Sequence, residues 1–462
     1  MTYSAAIEFL YQLRWFGAKF GLANTFKLAA LAGNPQEKLR FIHVAGTNGK
    51  GSTCAMLESI YRAAGRRVGL FTSPHLVAFS ERIQVNRQAI PEREVARLVR
   101  RMQSLLEEGW GKNATVGESA SVAHRKGCTD HELKHRSADQ HPTFFEVVTV
   151  MALQYFCAQE CDLVIWETGL GGRLDATNIV TPIASVITNI QFDHQNYLGE
   201  TLASIAGEKA GIIKPGVPVI TGADSLEALQ VINETARKQT APLTIVPRAD
   251  TLRPPLNSLT LPLLGEHQKM NAAVGLATVQ ALVSVLPVEE SAIHTGLARV
   301  HWPGRLQLVN RSPAQQVLLD GAHNVGGAEM LAAALRDYFP GLQPSLVLGI
   351  LRDKDWPRMC ERLAPLASRV VLVPVPSERS AEPHGLAEIC RRANPQAQVF
   401  ECPSLAAALE LTEHDPFVTI AGSLYLVGEA MVLLHLSPAK TSDERALNEW
   451  TVPTRNSGIT VR

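Results

Sequence analysis

The sequence has no excess of charge of either sign, because its 462 residues include 44 Lys and Arg and 44 Asp and Glu. Proteins that hold nucleic acid or an anionic membrane surface by general electrostatic attraction carry a basic excess, so we expect neither as a partner. No apolar run reaches the roughly 18 residues that a transmembrane helix needs. Any anion that this protein binds must therefore meet a local site.

Two further absences concern the cellular location. The seven cysteines are odd in number and include no CxxC pair, which is typical of a reducing compartment. The N-terminal segment MTYSAAIEFLYQLRWFG lacks a basic start followed by an apolar run and a small-residue cleavage site, and it favours an amphipathic helix over a signal peptide. We expect a cytoplasmic protein, and a monomer.

From residue 40 onward the sequence alternates short β-branched runs with helical patterns. The runs 41–46, 67–73, 162–167 and 184–190 are strand candidates, and the last two are apolar enough to be central parallel strands. This alternation predicts an α/β protein with a doubly wound, parallel-type sheet.

A second series of strand candidates begins after residue 305, with helical patterns between QVLLD, SLVLGI, RVVLVPV and PFVTIAG. The helical pattern breaks in 298–305, at a Trp-Pro-Gly sequence. We therefore predict two α/β domains, 1–299 and a smaller one over 300–436.

Two polar segments fall outside this scheme. Residues 111–141 are mixed in charge and hold four of the 14 histidines, and we interpret them as a solvated surface insertion. A metal site built from Cys128, His131 and His135 is the alternative. Residues 437–462 are also polar and predict a loosely held tail, to which we assign no role.

A glycine-rich turn between a predicted strand and a predicted helix gives the strongest local signal. The segment 43–53 reads HVAGTNGKGST, so that Gly46, Gly49 and Gly51 let the backbone approach an anion while the helix start faces it. Lys50 would reach the β- and γ-phosphates of a nucleotide. The spacing departs from the Walker pattern by one extra glycine. The alternative is a glycine-rich turn with a surface lysine.

Three side chains lie at or beyond the ends of strands near this turn. Ser73, Glu167 and His194 supply one hydroxyl, one carboxylate and one imidazole. Ligands of open α/β sheets bind at this edge, and such donors suit a divalent cation that also takes water and phosphate oxygens. Taken singly, the three could be a turn cap, a surface acid and a turn histidine.

Six motifs together are similar to one known family. HVAGTNGKGST, FTSPHL, ETGLGGRLDATN, FDH followed by EKAGIIKPG, LDGAHN and GSLYLVGE occur in the expected order across about residues 5–430. They resemble the folylpolyglutamate synthase family, which includes the bacterial bifunctional dihydrofolate synthase/folylpolyglutamate synthase. The resemblance implies a P-loop Mur-ligase-like ATPase domain followed by a smaller Rossmann-like domain.

The resemblance also implies an activity. The protein would be an ATP-dependent carbon–nitrogen ligase that activates a carboxylate as an acyl phosphate and lets the amino group of L-glutamate attack it. The acceptors would be folate-type carboxylates, in polyglutamylation of tetrahydrofolate and also in conversion of dihydropteroate to dihydrofolate. Its partners would be small molecules: a pterin or folate, L-glutamate and ATP.

Matching the motifs residue by residue implies roles in nucleotide and metal binding. Ser73, Glu167 and His194 match the Mg²⁺ ligands. Asn271, in LGEHQKMNA, matches a contact on the adenine side, and Arg305 matches an arginine that reaches nucleotide phosphate across the gap between domains. The residues implied to bind ATP are Asn48, Gly49, Lys50, Gly51, Ser52, Asn271, Arg305 and Asp320.

The implied catalytic residues are Lys50, Lys209 and His323. Lys209 matches a lysine that becomes carbamoylated, which turns a cation into an anion able to hold a second Mg²⁺. The alternative for Lys209 is an ordinary Glu-Lys helix pair. His323 matches a residue near the incoming glutamate.

The implied pterin-binding segments are TFFE and GRLD. The aromatic pair in the first could stack on a flat ring or could belong to a helix core. The insertion lies next to this region, so the sequence leaves the preferred acceptor open. The residues are Thr143, Phe144, Phe145, Glu146, Gly172, Arg173, Leu174 and Asp175.

Two rival functions predict different sequence features. A cell-wall Mur ligase carries a UDP-binding domain ahead of the phosphate loop, and we expect the 42 residues before His43 to be too few for one. A P-loop ATPase without a covalent product would need neither FTSPHL, nor the EKAG lysine, nor a second α/β domain with LDGAHN.

Overall fold

The computed structural model describes residues 1–17, 21–111, 141–437 and 444–449. Nearly all of the predicted insertion, including the alternative metal site, lies outside the described residues. Most of the predicted tail does as well, but a six-residue piece of it is described and packs against the rest of the protein.

The first lobe is built on an eight-stranded sheet. Its strands are β1 (Phe41–Ala45), β2 (Val68–Phe71), β3 (Ile83–Val85), β4 (Gln88–Ala89), β5 (Leu163–Glu167), β6 (Ala184–Ile187), β7 (Val219–Thr221) and β8 (Leu243–Ile245). The order across the sheet is β4-β3-β2-β5-β1-β6-β7-β8. All neighbours run parallel except β2 with β3 and β3 with β4.

The central strands of this sheet are buried from end to end, because helices cover both of its faces. Their apolar contacts form separate cores, one including Phe71, Phe156 and Trp166 and another including Met56 and Leu276. The helices are Tyr3–Leu13, Ala23–Leu31, Lys50–Ala63, Glu92–Trp110, Phe144–Ala158, Gln195–Leu198, Leu202–Ala210, Leu226–Lys238, Glu266–Ala281 and Glu290–Ala298.

The second lobe is built on a six-stranded sheet of order β13-β12-β11-β14-β10-β9. Its strands are β9 (Gln307–Ser312), β10 (Gln315–Leu319), β11 (Ser345–Leu348), β12 (Arg369–Leu372), β13 (Gln398–Glu401) and β14 (Phe417–Ala421), and only β9 is antiparallel to its neighbour. Its helices are Val325–Tyr338, Trp356–Leu363, Pro383–Ala393, Leu405–Leu411 and Leu424–Leu433.

The predicted α/β fold with doubly wound, parallel-type sheets is confirmed. Each strand candidate of the sequence lies on an observed strand, whereas the antiparallel β3, β4 and β9 and the parallel β7, β8 and β13 were not predicted. β3 and β4 have two or three residues each, too few for an alternating pattern to be visible. The domain limits 1–299 and 300–436 stay a prediction. In the described part of the chain, no helix combines the length and the apolar character that a bilayer span requires.

The loop that follows β2 joins the two lobes. Val77 packs into an apolar core of the second lobe. The carbonyl oxygen of Leu76 lies so close to Gly428 that a Cβ on this glycine would be 2.0 Å away, so only glycine fits there. The lobes therefore meet along the edge of the first sheet where β1, β2, β5 and β6 end.

Candidate active site

Strand register gathers the predicted site residues at one edge of the first sheet. Val44 of β1 is opposite Glu167 of β5, so the phosphate loop begins beside this carboxylate. β2 pairs with β5 on its other side, which places Ser73 next to Glu167, and the main-chain N–H of Ser73 donates to Glu167 Oε2 at 2.9 Å. A cavity of about 350 Å³ opens at this edge and takes its walls from both lobes.

The phosphate loop has the geometry that its glycines predict. The helix begins at Lys50, and Gly49 before it is left-handed with a φ of 83°. A Cβ on Gly49 would lie 2.3 Å from Asn271 Oδ1, and one on Gly51 would lie 2.8 Å from the Trp302 ring. Side chains at these positions would thus collide with the residues that close the loop.

The side chains of the loop are held by protein groups. Lys50 Nζ donates to the carbonyl oxygens of Gly46 and Thr47 at 3.1 and 3.3 Å. Asn48 Nδ2 donates to Gln191 at 2.7 Å and to Asn324 of the second lobe at 3.1 Å. Lys50 remains on the cavity wall, as do the loop residues 46–52.

The three predicted metal ligands all line the cavity. Burial raises the pKa of Glu167 to about 7, although the neighbouring Lys50 acts in the opposite direction. Burial lowers the pKa of His194 to about 3, and Lys354 contributes to the same direction. Among the described residues there is no group of three or more His, Cys, Asp and Glu side chains close enough to hold a metal ion by itself.

Lys209 lies deep beside the phosphate loop. It is 4% exposed, and its Nζ donates to the carbonyl oxygen of Gly46 at 2.9 Å. Burial, followed by repulsion from Lys50, lowers the pKa of Lys209 to about 7. A large part of this amine is therefore uncharged at neutral pH, which an exposed helix lysine would not be.

The residues implied to bind ATP outside the phosphate loop come from both lobes. Asn271 and Asp320 are buried on its wall, and Arg305 also lines it. Asp320 accepts the main-chain N–H groups of Leu306 and Ala322, both at 2.9 Å, so its carboxylate fixes the loop that carries Arg305.

The two nitrogens of His323 have different surroundings: Nδ1 is hydrogen-bonded, whereas Nε2 lies 3.7 Å from Asp193 Oδ2. Its Nδ1 contacts the carbonyl oxygen of Gly321 at 2.7 Å, and because that oxygen only accepts, Nδ1 carries the hydrogen. Burial, assisted by Lys354, lowers the pKa of His323 to about 4, so the ring is neutral at pH 7. Its Nε2 is then a proton acceptor on the cavity wall.

An ionic cluster links the lobes beside this histidine. Lys354 of the second lobe donates to Asp193 of the first at 2.6 Å, and both side chains are only 7% exposed. Asn324 donates to the other Asp193 oxygen at 2.9 Å. Burial alone would raise the pKa of Asp193, but Lys354 lowers it well below its ordinary value.

The TFFE segment caps the start of a helix and also lines the cavity. Thr143 and Glu146 form a reciprocal cap at the start of the helix Phe144–Ala158. Phe144 and Phe145 both line the cavity, and Phe144 is nearly buried, with Arg82 above its ring at 5.4 Å. Phe145 packs against Phe71, with ring centroids 6.0 Å apart.

The GRLD segment is divided by the fold. Leu174 and Asp175 line the cavity, whereas Gly172 and Arg173 do not. Arg173 lies on the surface and pairs with Glu208 at 2.8 Å. A sequence motif cannot show this division, because neighbouring residues of a loop point in different directions.

A chain of hydrogen bonds that starts at His43 in β1 orients Asp175. His43 Nε2 contacts Thr177 Oγ1 at 2.9 Å, and this hydroxyl donates to Asp175 Oδ1. Asp175 Oδ2 accepts the N–H of Leu170 at 2.7 Å. Its carboxylate is therefore held by several donors.

Comparison with known proteins now identifies the family. Residues 304–424 match the family described as the Mur ligase, glutamate ligase domain. The chain is 38% identical over 392 residues to the dihydrofolate synthase/folylpolyglutamate synthase of Bacillus subtilis, covering 80% of this chain and 84% of that protein. The chain belongs to the folylpolyglutamate synthase family.

Solved structures of folylpolyglutamate synthases agree over nearly the whole length. The enzyme of Thermotoga maritima has a TM-score of 0.77 at 32% identity and covers 96% of this chain and 98% of its own. FolC of Escherichia coli, solved in complex with DHPP and ADP, has a TM-score of 0.77 at 30% identity and covers 94% and 98%. The resemblance inferred from the motifs is confirmed, and membership makes the protein a ligase.

Several cavity residues of this folylpolyglutamate synthase family member were missed by sequence reasoning. Ser423 and Tyr425 stand in GSLYLVGE and Asp193 in FDH, so these motifs could have indicated them. No local pattern singles out a further group of polar and apolar wall residues, which come from distant parts of the chain. This group includes Arg14, Arg82, Lys354, Arg379, Leu447, Asn448 and Glu449.

Proposed function

We propose that this protein is an ATP-dependent amide ligase that joins L-glutamate to a folate-type carboxylate. The observation that carries the proposal is one cavity that combines a phosphate loop, a buried amine and a neutral imidazole contributed by the second lobe. Tetrahydrofolates and dihydropteroate are both proposed as acceptors.

The proposed reaction has two steps. An acceptor carboxylate oxygen first attacks the γ-phosphorus of ATP, which gives an acyl phosphate and ADP. The glutamate nitrogen then attacks the acyl carbon, phosphate leaves with the electron pair of the broken C–O bond, and the nitrogen loses a proton. In this proposal His323 Nε2 accepts that proton or orients the amine, which is supported by its position on the cavity wall and by the hydrogen bond that leaves Nε2 without a hydrogen.

Two cationic side chains that line the cavity would serve the first step. Lys50 lies on the phosphate loop and Arg305 at the start of the second lobe, so both would stabilise the charge of the nucleotide phosphates. We propose that movement about 298–305, the join between domains 1–299 and 300–436, brings Arg305 onto the nucleotide and keeps water from the acyl phosphate.

Ser73, Glu167 and His194 fit a Mg²⁺ site that is completed by ATP. Mg²⁺ commonly takes one or two carboxylates, with water and phosphate oxygens in its other positions. A buried carboxyl whose pKa is raised to about 7 is the kind of group that a bound cation would return to its ionised form. When bound, the metal would neutralise charge on the transferred phosphoryl group.

Lys209 is the proposed site of carbamoylation, and its carbamate would hold a second Mg²⁺. Carbamate formation needs an uncharged amine, and the lowered pKa of Lys209 supplies one near neutral pH. Its place beside Gly46 puts the new anion next to the phosphate loop.

The setting proposed for this reaction is the cytoplasm, with a monomeric protein and small-molecule partners only. A balanced count of 44 basic and 44 acidic residues supports the exclusion of nucleic acid and of anionic membrane surfaces as partners.

The test measures ADP release and the ligated product in separate reactions with dihydropteroate and with tetrahydrofolate. A ligase needs both the acceptor acid and L-glutamate for sustained turnover, and the product gains one glutamyl residue by mass. Omission of either substrate is the matched control. ADP release that depends on neither would instead identify an ATPase without a covalent product.

A further inference from the structure

The described piece of the C-terminal tail, Glu444–Glu449, is seated against the cavity. Glu444 is 1% exposed, and its carboxylate accepts from the Tyr3 hydroxyl at 2.9 Å and from the Phe79 N–H at 2.6 Å. Its carbonyl oxygen accepts from His75 Nε2 at 2.9 Å. This end of the segment is therefore fixed to the first lobe.

The middle of the segment continues this attachment. Leu447 is buried in the apolar core that includes Phe71 and Trp166. Asn448 accepts from Arg82 and donates to the carbonyl oxygen of His75 at 3.0 Å. Leu447 and Asn448 thus form part of the cavity wall and are anchored to the first lobe.

Glu449 differs from its neighbours because its side chain faces the second lobe. Its Oε2 accepts from Arg379 Nε at 3.0 Å, and its side chain is 7% exposed. Its Oε1 is buried and has no hydrogen-bond partner among the described residues. One oxygen of the Glu449 carboxylate is therefore buried without a hydrogen bond, which weakens the binding of this side chain to Arg379.

Arg379 could bind a different carboxylate better than it binds Glu449. It belongs to the part of the chain that matches the glutamate ligase domain, and it lines the same cavity as His323. Its NH1 pairs with Asp353 at 3.2 Å, while its NH2 makes only a long contact, 3.4 Å, to the Tyr425 hydroxyl. A free carboxylate could take Nε and NH2 together in the bidentate geometry that guanidinium favours.

We propose that Glu449 is a resident competitor for L-glutamate: its carboxylate occupies the subsite on Arg379 that a carboxylate of the substrate glutamate takes during the reaction. The inference rests on the proposed function. Glu444 and Asn448 keep the segment in place, and only the Glu449 side chain turns out when substrate binds. The apparent KM for glutamate is then raised by the fraction of molecules in which Glu449 is seated.

The test compares the full-length protein with Glu449→Gln. Loss of the competing charge should lower the KM for L-glutamate about five- to tenfold and leave kcat within about twofold. Equilibrium titration of L-glutamate in the presence of a non-hydrolysable ATP analogue should show the same gain in affinity. Glu449→Asp, whose shorter side chain falls out of reach of Arg379, should change KM in the same direction.

Asp415→Asn is the matched control, because it removes another carboxylate paired with an arginine of the second lobe. Asp415 pairs with Arg369 at 2.8 Å, and neither residue lines the cavity. This variant should leave the KM for glutamate unchanged.

Each other outcome overturns the inference in a distinguishable way. An unchanged or raised KM in the folded Glu449 variants, with an active wild type, would mean that Glu449 only supports the wall. A wild-type protein that shows no glutamate-dependent ADP release would remove the proposed function, and the competitor role with it.

Discussion

Carbamoylation of Lys209 can be tested through the pH and CO2 dependence of the activity. The pKa of Lys209 is lowered from its ordinary value of 10.5 to about 7. At pH 7 about half of the amine is therefore uncharged, roughly 10³-fold more than for an exposed lysine. Only the uncharged amine reacts with CO2, so carbamate formation should rise through pH 7 rather than near pH 10.5.

The assay combines kinetics with direct detection of the carbamate. Protein freed of CO2 at pH 6 should lose activity and regain it when bicarbonate is added at pH 8. ¹³C-bicarbonate should give a carbamate signal in NMR spectra. Lys209→Gln, which cannot form a carbamate, should lack this signal and show kcat/KM at least about 10²-fold lower, the usual effect of removing one preorganised electrostatic group.

Stability offers an independent check of the lowered pKa. Between pH 7 and 10.5 the unfolded state binds more protons than the folded state, so in CO2-free buffer the unfolding free energy should rise with pH across this window. The pKa difference between 10.5 in the unfolded state and about 7 in the folded state corresponds to about 5 kcal/mol. This free energy destabilises the folded protein in full below pH 7, where Lys209 is charged in both states. Lys209→Gln should lose most of this pH dependence.

Lys214→Arg is the matched control. Burial also lowers the pKa of Lys214, which lies five residues along the chain and donates to the carbonyl oxygen of Asn178 at 3.3 Å. This variant should keep the carbamate signal of the wild type. Carbamoylation of Lys209 is refuted if the wild type shows no carbamate signal and Lys209→Gln is as active as wild type.

Four other substitutions test the remaining parts of the site. Lys50→Ala should lower kcat/KM for ADP release at least about 10²-fold with an unchanged melting temperature, and near-normal turnover would contradict the phosphate-loop assignment. Glu167→Gln should raise the Mg²⁺ concentration that gives half-maximal rate, whereas an unchanged titration would make Glu167 structural. Arg305→Ala should lower kcat more than it weakens equilibrium folate binding, because its contact is proposed to form on closure; loss of affinity with normal kcat would make it a substrate clamp. Lys354→Met leaves the buried Asp193 carboxylate without its counter-ion and should lower the unfolding free energy, measured in urea, by about 3 kcal/mol. Adding Asp193→Asn to this variant should restore part of the loss. An unchanged unfolding free energy in Lys354→Met would show that the pair does not stabilise the protein.

The local sequence determined the phosphate loop and the sheet edge around it. Glycine spacing sets the left-handed turn at Gly49, and apolar runs that end in polar residues placed Ser73 and Glu167 at the ends of parallel strands. These predictions succeed because a turn, a strand and its end depend on residues close together in the chain. The family motifs added the roles of residues that geometry alone does not assign.

Only the tertiary structure decided which distant side chains share the cavity. The contact of Phe79 with Glu444 joins residues 365 positions apart, and the pair of Asp193 with Lys354 joins the two lobes. The polar composition of 437–462 predicted a loosely held tail, yet Glu444 is buried within it. Composition records average polarity, whereas burial of a polar side chain depends on donors that sheet topology brings to it from elsewhere in the chain.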